Sequence, residues 1–363
     1  MSAISNPAPP DDSALEPPKA DWPSLLGALT SGRDLTRGEA GEAMADILAG
    51  RAGDARIAGL LIGLAAKGET VEELTGFASG MLEAAQGLTV DGRAIDIVGT
   101  GGSSHRRRHA LNVSTMACIV AAAAGAMVCK HGNRRASSTS GSFDFLEALG
   151  VAIELGPRQL EACVEEVGLG FAFARTFHPA MRFAGPVRAA LGVPTVFNLL
   201  GPLAHPGRLR RQVIGVDSPE RAEALARVLR ELGSTSAWVV AGADGLDEVS
   251  TTGPSDVWEV GGDEVRHRRV DPAELGLAPV TLADLAGGDA AANAAIFEGI
   301  LAGSGGPHCD IVLLNAGAGL VVGGVATTLG EGVEAARAAL EDGRVEAKLQ
   351  QLREVSHRIV DRG

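Results

Sequence analysis

The chain has 363 residues, 45% of them hydrophobic, and a formal net charge of −13. That length and apolar content suffice for one large or two ordinary globular domains, and the acidic balance argues against a general nucleic-acid binder while allowing a local basic patch for a small polyanion. With no apolar run of membrane-spanning length and no basic flank followed by an apolar segment at the N-terminus, no membrane partner is expected and the cytoplasm is the expected compartment.

Residues 1–22 are expected to be a disordered tail, since residues 1–23 hold six prolines and few large apolar groups to offset ordering entropy. A helical pattern follows over 23–90. Thr36 and Glu39 form a capping-box pair ahead of Ala40, Ala43, Met44, Ile47 and Leu48; a second helix spans Asp54 to Lys67 with Gly68 as its stop, and Thr70 with Glu73 caps a third through Leu82. From Ala94 strand and helix signals alternate, including Ala237-Trp238-Val239-Val240 and Asp310-Ile311-Val312-Leu313-Leu314, which reads as an α/β layer with a mainly parallel sheet. Pro179 to Leu191 is helical again, and 179–205 is expected to return through the helical domain. The α/β domain then comprises 91–178 and 206–363. Cys118, Cys129, Cys163 and Cys309 lack paired metal-ligand spacing, so neither a disulfide nor zinc is expected.

The stretch Ala94–Leu149 carries the chemistry. Ala94-Ile95-Asp96-Ile97-Val98 reads as a buried strand stopping at Gly99-Thr100-Gly101-Gly102, where glycine lets backbone N–H groups close on an anion. Asn112-Val113-Ser114-Thr115 precedes a helix whose N-terminus carries partial positive charge. A second short strand delivers Lys130 and His131 to the same end of the sheet, where ligands of parallel sheets bind. Each piece alone has an ordinary loop or surface explanation; together they predict a phosphate cradle.

The segments Asp96 to Gly102, Asn112 to Thr115 and Lys130-His131-Gly132-Asn133-Arg134 resemble the anthranilate phosphoribosyltransferases. Further support lies in Lys67 to Thr70, Ser140-Gly141-Ser142, Phe177 to Arg182, Phe197 to Leu203, Asp244-Gly245-Leu246-Asp247-Glu248, Gly287-Gly288-Asp289 and Leu314 to Gly317. The resemblance implies the fold of the class II nucleoside phosphorylases: a small all-helical domain plus a large α/β domain joined by a hinge, commonly a homodimer. It implies transfer of the phosphoribosyl group of phosphoribosyl pyrophosphate (PRPP) to the amine of anthranilate, with Mg2+ as cofactor. The implied PRPP contacts are Gly99, Thr100, Gly101, Gly102, Asn112, Ser114, Thr115, Lys130 and Ser142. The implied anthranilate contacts are Gly99, His131, Asn133 and Arg188, and the implied metal ligands are Asp247, Glu248 and Ser114. No nucleophilic side chain is required, since positioning and charge neutralisation by Lys130 and the metal serve the transition state.

The chain departs from the family at Ser103, where an acid is usual, and at Ser104-His105-Arg106-Arg107-Arg108-His109, a basic lengthening of the loop. Two readings stand: arginines that bind pyrophosphate, or a solvated insertion. Another aromatic amine as acceptor, or a pyrimidine-nucleoside phosphorylase activity, are the alternatives to the implied reaction.

Overall fold

Capping chemistry sets the first helices. The computed structural model describes residues 17–101, 111–134, 139–242 and 244–361, so Gly102 and the insertion at 103–109 lie outside the described residues. Helices α1 (Trp22–Thr30), α2 (Arg37–Leu48), α3 (Asp54–Lys67) and α4 (Val71–Ala84) open the chain. Thr36–Glu39 and Thr70–Glu73 both form the expected reciprocal boxes. Glu73 does more than cap, since its buried carboxylate also accepts from Leu35 N at 2.8 Å and Lys67 Nζ at 3.0 Å and so joins the ends of α2, α3 and α4.

The tail expectation reaches too far, because order extends at least back to Lys19. Fully buried Asp46 accepts from Lys19 N (3.1 Å), Ala20 N (3.0 Å), Trp22 Nε1 (3.1 Å) and Arg51 Nε (2.8 Å). Burial pushes this carboxyl up, but the four donors together hold it below its ordinary value. Removing the acid strands four donors around a buried site, so Asp46→Ala should cost about 3–5 kcal/mol in urea unfolding. A loss below about 1 kcal/mol would contradict this role.

The remainder runs β1 (Asp96–Gly99), α5 (Val113–Ala123), β2 (Val128–Gly132), α6 (Ser142–Ala148), α7 (Pro157–Val167), β3 (Leu169–Phe173), α8 (Ala174–Phe177), α9 (Gly185–Leu191), α10 (Phe197–Leu203), β4 (Arg211–Gly215), α11 (Pro219–Glu231), β5 (Ser236–Gly242), β6 (Ser255–Gly261), β7 (Glu264–Val270), α12 (Ala290–Leu301), α13 (Pro307–Gly323), α14 (Leu329–Glu341) and α15 (Arg344–Asp361). The main sheet has the order β1-β4-β5-β6-β7, with β1, β4 and β5 parallel and β6 and β7 added antiparallel. Parallel β2 and β3 continue it through the bridge between Ile95 and Val128. The mainly parallel sheet expected from the sequence is therefore present.

Period-2 alternation assigns its two faces. Ile214, Val239 and Ala241 join the core shared with α11 and the N-terminal helices, whereas Val213, Trp238 and Val240 join the core built on α5 and α13. Ala184, Val187, Phe197 and Leu200 of the return segment pack in the first of these cores.

Asp310–Leu314 is a correction: the segment lies inside α13, with Pro307 in the first turn. Ile311 to Leu314 are all buried. A helix apolar on every side has no visible 3.6 period, and a short apolar run of that kind cannot be distinguished from a buried strand by pattern.

Candidate active site

Four parallel strands end in glycine at one edge of the sheet: Gly99 of β1, Gly132 of β2, Gly215 of β4 and Gly242 of β5. Each is closely approached. A Cβ on Gly99 would sit 2.4 Å from Asp247 Oδ2, on Gly132 2.5 Å from Ser142 Oγ, on Gly215 1.7 Å from Asp247 O, and on Gly242 2.7 Å from Asp244 Oδ1. The edge is thus shaped so that two loops can lie directly on the strand ends.

The acidic loop after β5 is one of these. Asp244 organises it, accepting from Leu246 N at 3.0 Å, Ser250 Oγ at 3.0 Å and Thr252 Oγ1. Asn315 of α13 fixes its far end, accepting from Val249 N at 3.0 Å and donating to Val249 O at 2.9 Å. Asp247 and Glu248, both buried, lie between these anchors. Asp247 Oδ2 accepts from Gly101 N at 2.7 Å, which ties the expected metal acid to the expected phosphate loop. Thr100 N donates to Gly215 O at 2.9 Å, so the N–H groups of Thr100 and Gly101 both have partners within the protein.

Lys130 lies beneath this loop, 2% exposed, with Nζ donating to Ile97 O at 2.6 Å. Its buried counter-charge is Asp96, whose carboxyl faces the backbone N–H groups of His131 and Ile97. Burial raises Asp96 to about 7 against the pull of the Lys130 charge. Ser114 and Thr115 occupy the first turn of α5, with Asn112 at its N-cap position; the Asn112 side chain does not cap the helix. Its Oδ1 instead accepts from Ser140 Oγ at 2.9 Å and Asn293 Nδ2 at 2.7 Å.

His131 lies beside His178 and His205, with ring centroids 5.2 and 5.7 Å away. Its Nδ1 is 3.2 Å from Gly201 O, which only accepts, so Nδ1 carries the proton. Nε2 is then a buried lone pair, without a hydrogen-bond partner among the described residues. Burial, reinforced by the two neighbouring imidazoles, holds His131 well below its ordinary value and hence neutral at pH 7. Arg188 of α9 stands with its guanidinium carbon 5.1 Å from the ring centre of Phe197, and burial lowers its pKa. Among the described residues it makes no ion pair. Asn133 is exposed, and its Oδ1 accepts from Arg134 N at 2.8 Å. Arg134 pairs with Glu147 at 2.8 Å and Asp144 at 3.4 Å, and Ser142 Oγ donates to Asn133 O at 3.3 Å.

Reading the sequence missed three contributors: Gly215, Asn293 and Asn315. Asn315 and the Gly287-Gly288-Asp289 segment belong to motifs already singled out, but their roles emerge only in contact. Gly287 is the point at which a Cβ would meet Leu111 N at 2.7 Å, immediately before Asn112.

Residues 23–85 match the glycosyl transferase family helical bundle domain and residues 91–346 the glycosyl transferase family a/b domain. Fold and site thus define a glycosyltransferase built from a helical bundle and an α/β unit. The anthranilate phosphoribosyltransferase of Nocardia farcinica is 46% identical over 93% of this chain and 100% of its own length. That of Thermus thermophilus superposes with a TM-score of 0.86 at 43% identity, covering 92% of this chain and 99% of the other. The Saccharomyces cerevisiae enzyme, solved in complex with PRPP and Mg, has a TM-score of 0.86 at 26% identity, covering 94% and 99%. The chain belongs to the anthranilate phosphoribosyltransferase family.

Proposed function

We propose that this chain transfers the phosphoribosyl group of PRPP to the amine of anthranilate in tryptophan biosynthesis, giving N-(5-phosphoribosyl)anthranilate and pyrophosphate. The observation that carries the reading is the junction at the strand ends, where Asp247 is bonded to the glycine loop above buried Lys130. In the reaction the amine nitrogen bonds to C1 of the ribose, the C1–oxygen bond to pyrophosphate breaks, and the nitrogen loses a proton. The protein's work is to hold the two substrates in line and to neutralise the leaving group. Gly99, Thr100, Gly101, Asn112, Ser114, Thr115, Lys130 and Ser142 are the proposed PRPP contacts.

The acids fit a hard cation. Asp247 and Glu248 are adjacent buried carboxylates, and no group of three or more His, Cys, Asp or Glu able to hold a metal occurs among the described residues. Such a donor set suits Mg2+, which binds through one or two carboxylates and completes its shell with phosphate oxygens and water. Asp247, Glu248 and Ser114 would hold it. When bound, Mg2+ supplies charge neutralisation at the pyrophosphate.

For the acceptor, the neutral Nε2 of His131 is matched to an arylamine N–H, with Gly99 and Asn133 as the remaining contacts and Arg188 paired to the carboxylate. Part of the Arg188 hydration is already removed by burial, so a carboxylate would gain strongly there. Arg188→Ala should raise the KM for anthranilate about tenfold or more and leave that for PRPP within twofold; equal rises in both would reject the assignment. The proposal includes a homodimer formed through the helical unit of residues 23–90 and 179–205, acting in the cytoplasm. Among the described residues no helix is long and apolar enough to cross a membrane. The direct test follows anthranilate fluorescence with PRPP and Mg2+, and unchanged fluorescence would overturn the reading.

A further inference from the structure

We infer that Asn293 is a positioning residue that decides which end of the Asn112 carboxamide meets the substrate phosphate. The inference rests on the proposed role of Asn112 as a PRPP contact. A carboxamide has one accepting and one donating arm of nearly the same shape, so its sense is set by its partners. A backbone N–H has no such ambiguity. Gly288 N donates to Asn293 Oδ1 at 2.8 Å, which makes the other arm of Asn293 the donor. Asn293 Nδ2 donates to Asn112 Oδ1 at 2.7 Å, and the Ser140 hydroxyl donates to the same oxygen at 2.9 Å. Both Asn112 acceptor directions are thereby engaged, and Nδ2 is turned away from them, with no acceptor among the described residues.

The polarity therefore runs in one direction, from the Gly288 backbone through Asn293 and Asn112 to the head of α5. A donor there complements a phosphate oxygen, whereas Oδ1 in its place would repel it. Burial makes the arrangement stiff: Asn293 is 0% exposed, Ser140 4% and Asn112 8%. The supporting turn is equally constrained. Asp289 caps α12 through Ala292 N at 2.9 Å, Thr139 Oγ1 donates to Gly288 O at 2.9 Å, and a Cβ on Gly287 would lie 2.5 Å from Asn293 Oδ1. These contacts give the Gly287-Gly288-Asp289 segment a task at the active site without touching substrate.

Asn293→Asp reverses the polarity in nearly the same volume. A carboxylate still accepts from Gly288 N but cannot donate, so the Asn112 amide turns Nδ2 inward and presents Oδ1 to the phosphate. Calorimetric titration of the full chain with PRPP and Mg2+ at pH 8.5 should show binding weakened on the order of tenfold to a hundredfold, with the KM for anthranilate unchanged. Asn293→Ala, which adds no charge, should give a smaller loss of the same kind and covers the case in which the aspartate variant fails to fold. The decisive measurement is the double-mutant cycle: in an Asn112→Ala background neither substitution at 293 should weaken PRPP binding further. Equal losses in both backgrounds, or parallel losses for PRPP and anthranilate, would show a general structural role and overturn the inference. PRPP binding by Asn112→Ala at wild-type strength would overturn the phosphate role of Asn112 and the inference with it. A wild-type chain that binds PRPP but leaves anthranilate unconsumed would instead overturn the proposed reaction and leave the Asn293 result readable.

Discussion

Gly215→Ala should leave the chain folded yet lower kcat/KM for PRPP by at least about a hundredfold. The added Cβ would stand 1.7 Å from Asp247 O and 2.3 Å from its carbonyl carbon, and these are backbone atoms that no rotamer change can move aside. The acidic loop cannot simply lift as a whole, because Asn315 holds Val249 and Asp244 holds Ser250. Asp247 must therefore shift relative to Gly101 N, to which its carboxylate is bonded at 2.7 Å. A displacement of about 1 Å in a positioning element costs on the order of a hundredfold in rate, whereas forcing a methyl group into a packed site costs about 1–3 kcal/mol of stability. The two effects separate in measurement: kcat/KM across a Mg2+ series reports the first and the thermal midpoint the second. Gly253→Ala is the control, since a Cβ there meets nothing within 4 Å. Activity of Gly215→Ala within a few-fold of the wild type would refute the requirement for this close approach.

That requirement shows where sequence reading stops. The capping boxes at Thr36 and Thr70 are local, so residues three apart suffice to declare them. The short strand before Gly99, the helix after Asn112 and the placement of Lys130 on β2 are also local, and all are present. Asp310–Leu314 failed because burial on all sides erases the helical period. Gly215 failed for another reason: its value lies in the distance to Asp247, thirty-two positions later, and nothing beside it in the chain announces that contact. Asn293 is likewise an ordinary alanine-flanked helix residue until Gly288 and Asn112 converge on it. Arg106 to Arg108 fall outside the described residues, whereas the site's internal wiring is explicit. The sequence shows which groups could meet a substrate; the residues that orient those groups become visible only when the strand ends are brought together.

Lys130→Met should be the most damaging side-chain change, with an effect on stability that depends on pH. The methionine keeps the apolar stem but removes the ammonium bonded to Ile97 O and leaves Asp96 without its buried counter-charge. Burial already places Asp96 at about 7, and the Lys130 charge is what draws it downward; without that charge its folded value rises further. A carboxyl raised above its unfolded value, about 3.9, favours the folded state fully below that value, and the contribution disappears as pH rises through the folded value. The variant's deficit relative to wild type should thus be flat from pH 4 to about 7, where Asp96 holds its proton in both proteins, and grow only above that, by about 1.4 kcal/mol at pH 8, one pKa unit of linkage. Asp96→Asn with Lys130→Met removes both charges, so urea unfolding at pH 8 should recover most of that loss. Activity should not recover with it: both variants lack the buried cation proposed to face the pyrophosphate, and each should lose about two to three orders of magnitude in kcat/KM for PRPP. A deficit independent of pH would dismiss the Asp96–Lys130 couple as the cause, and recovery of activity in the double variant would dismiss Lys130 as the cation that stabilises the departing charge.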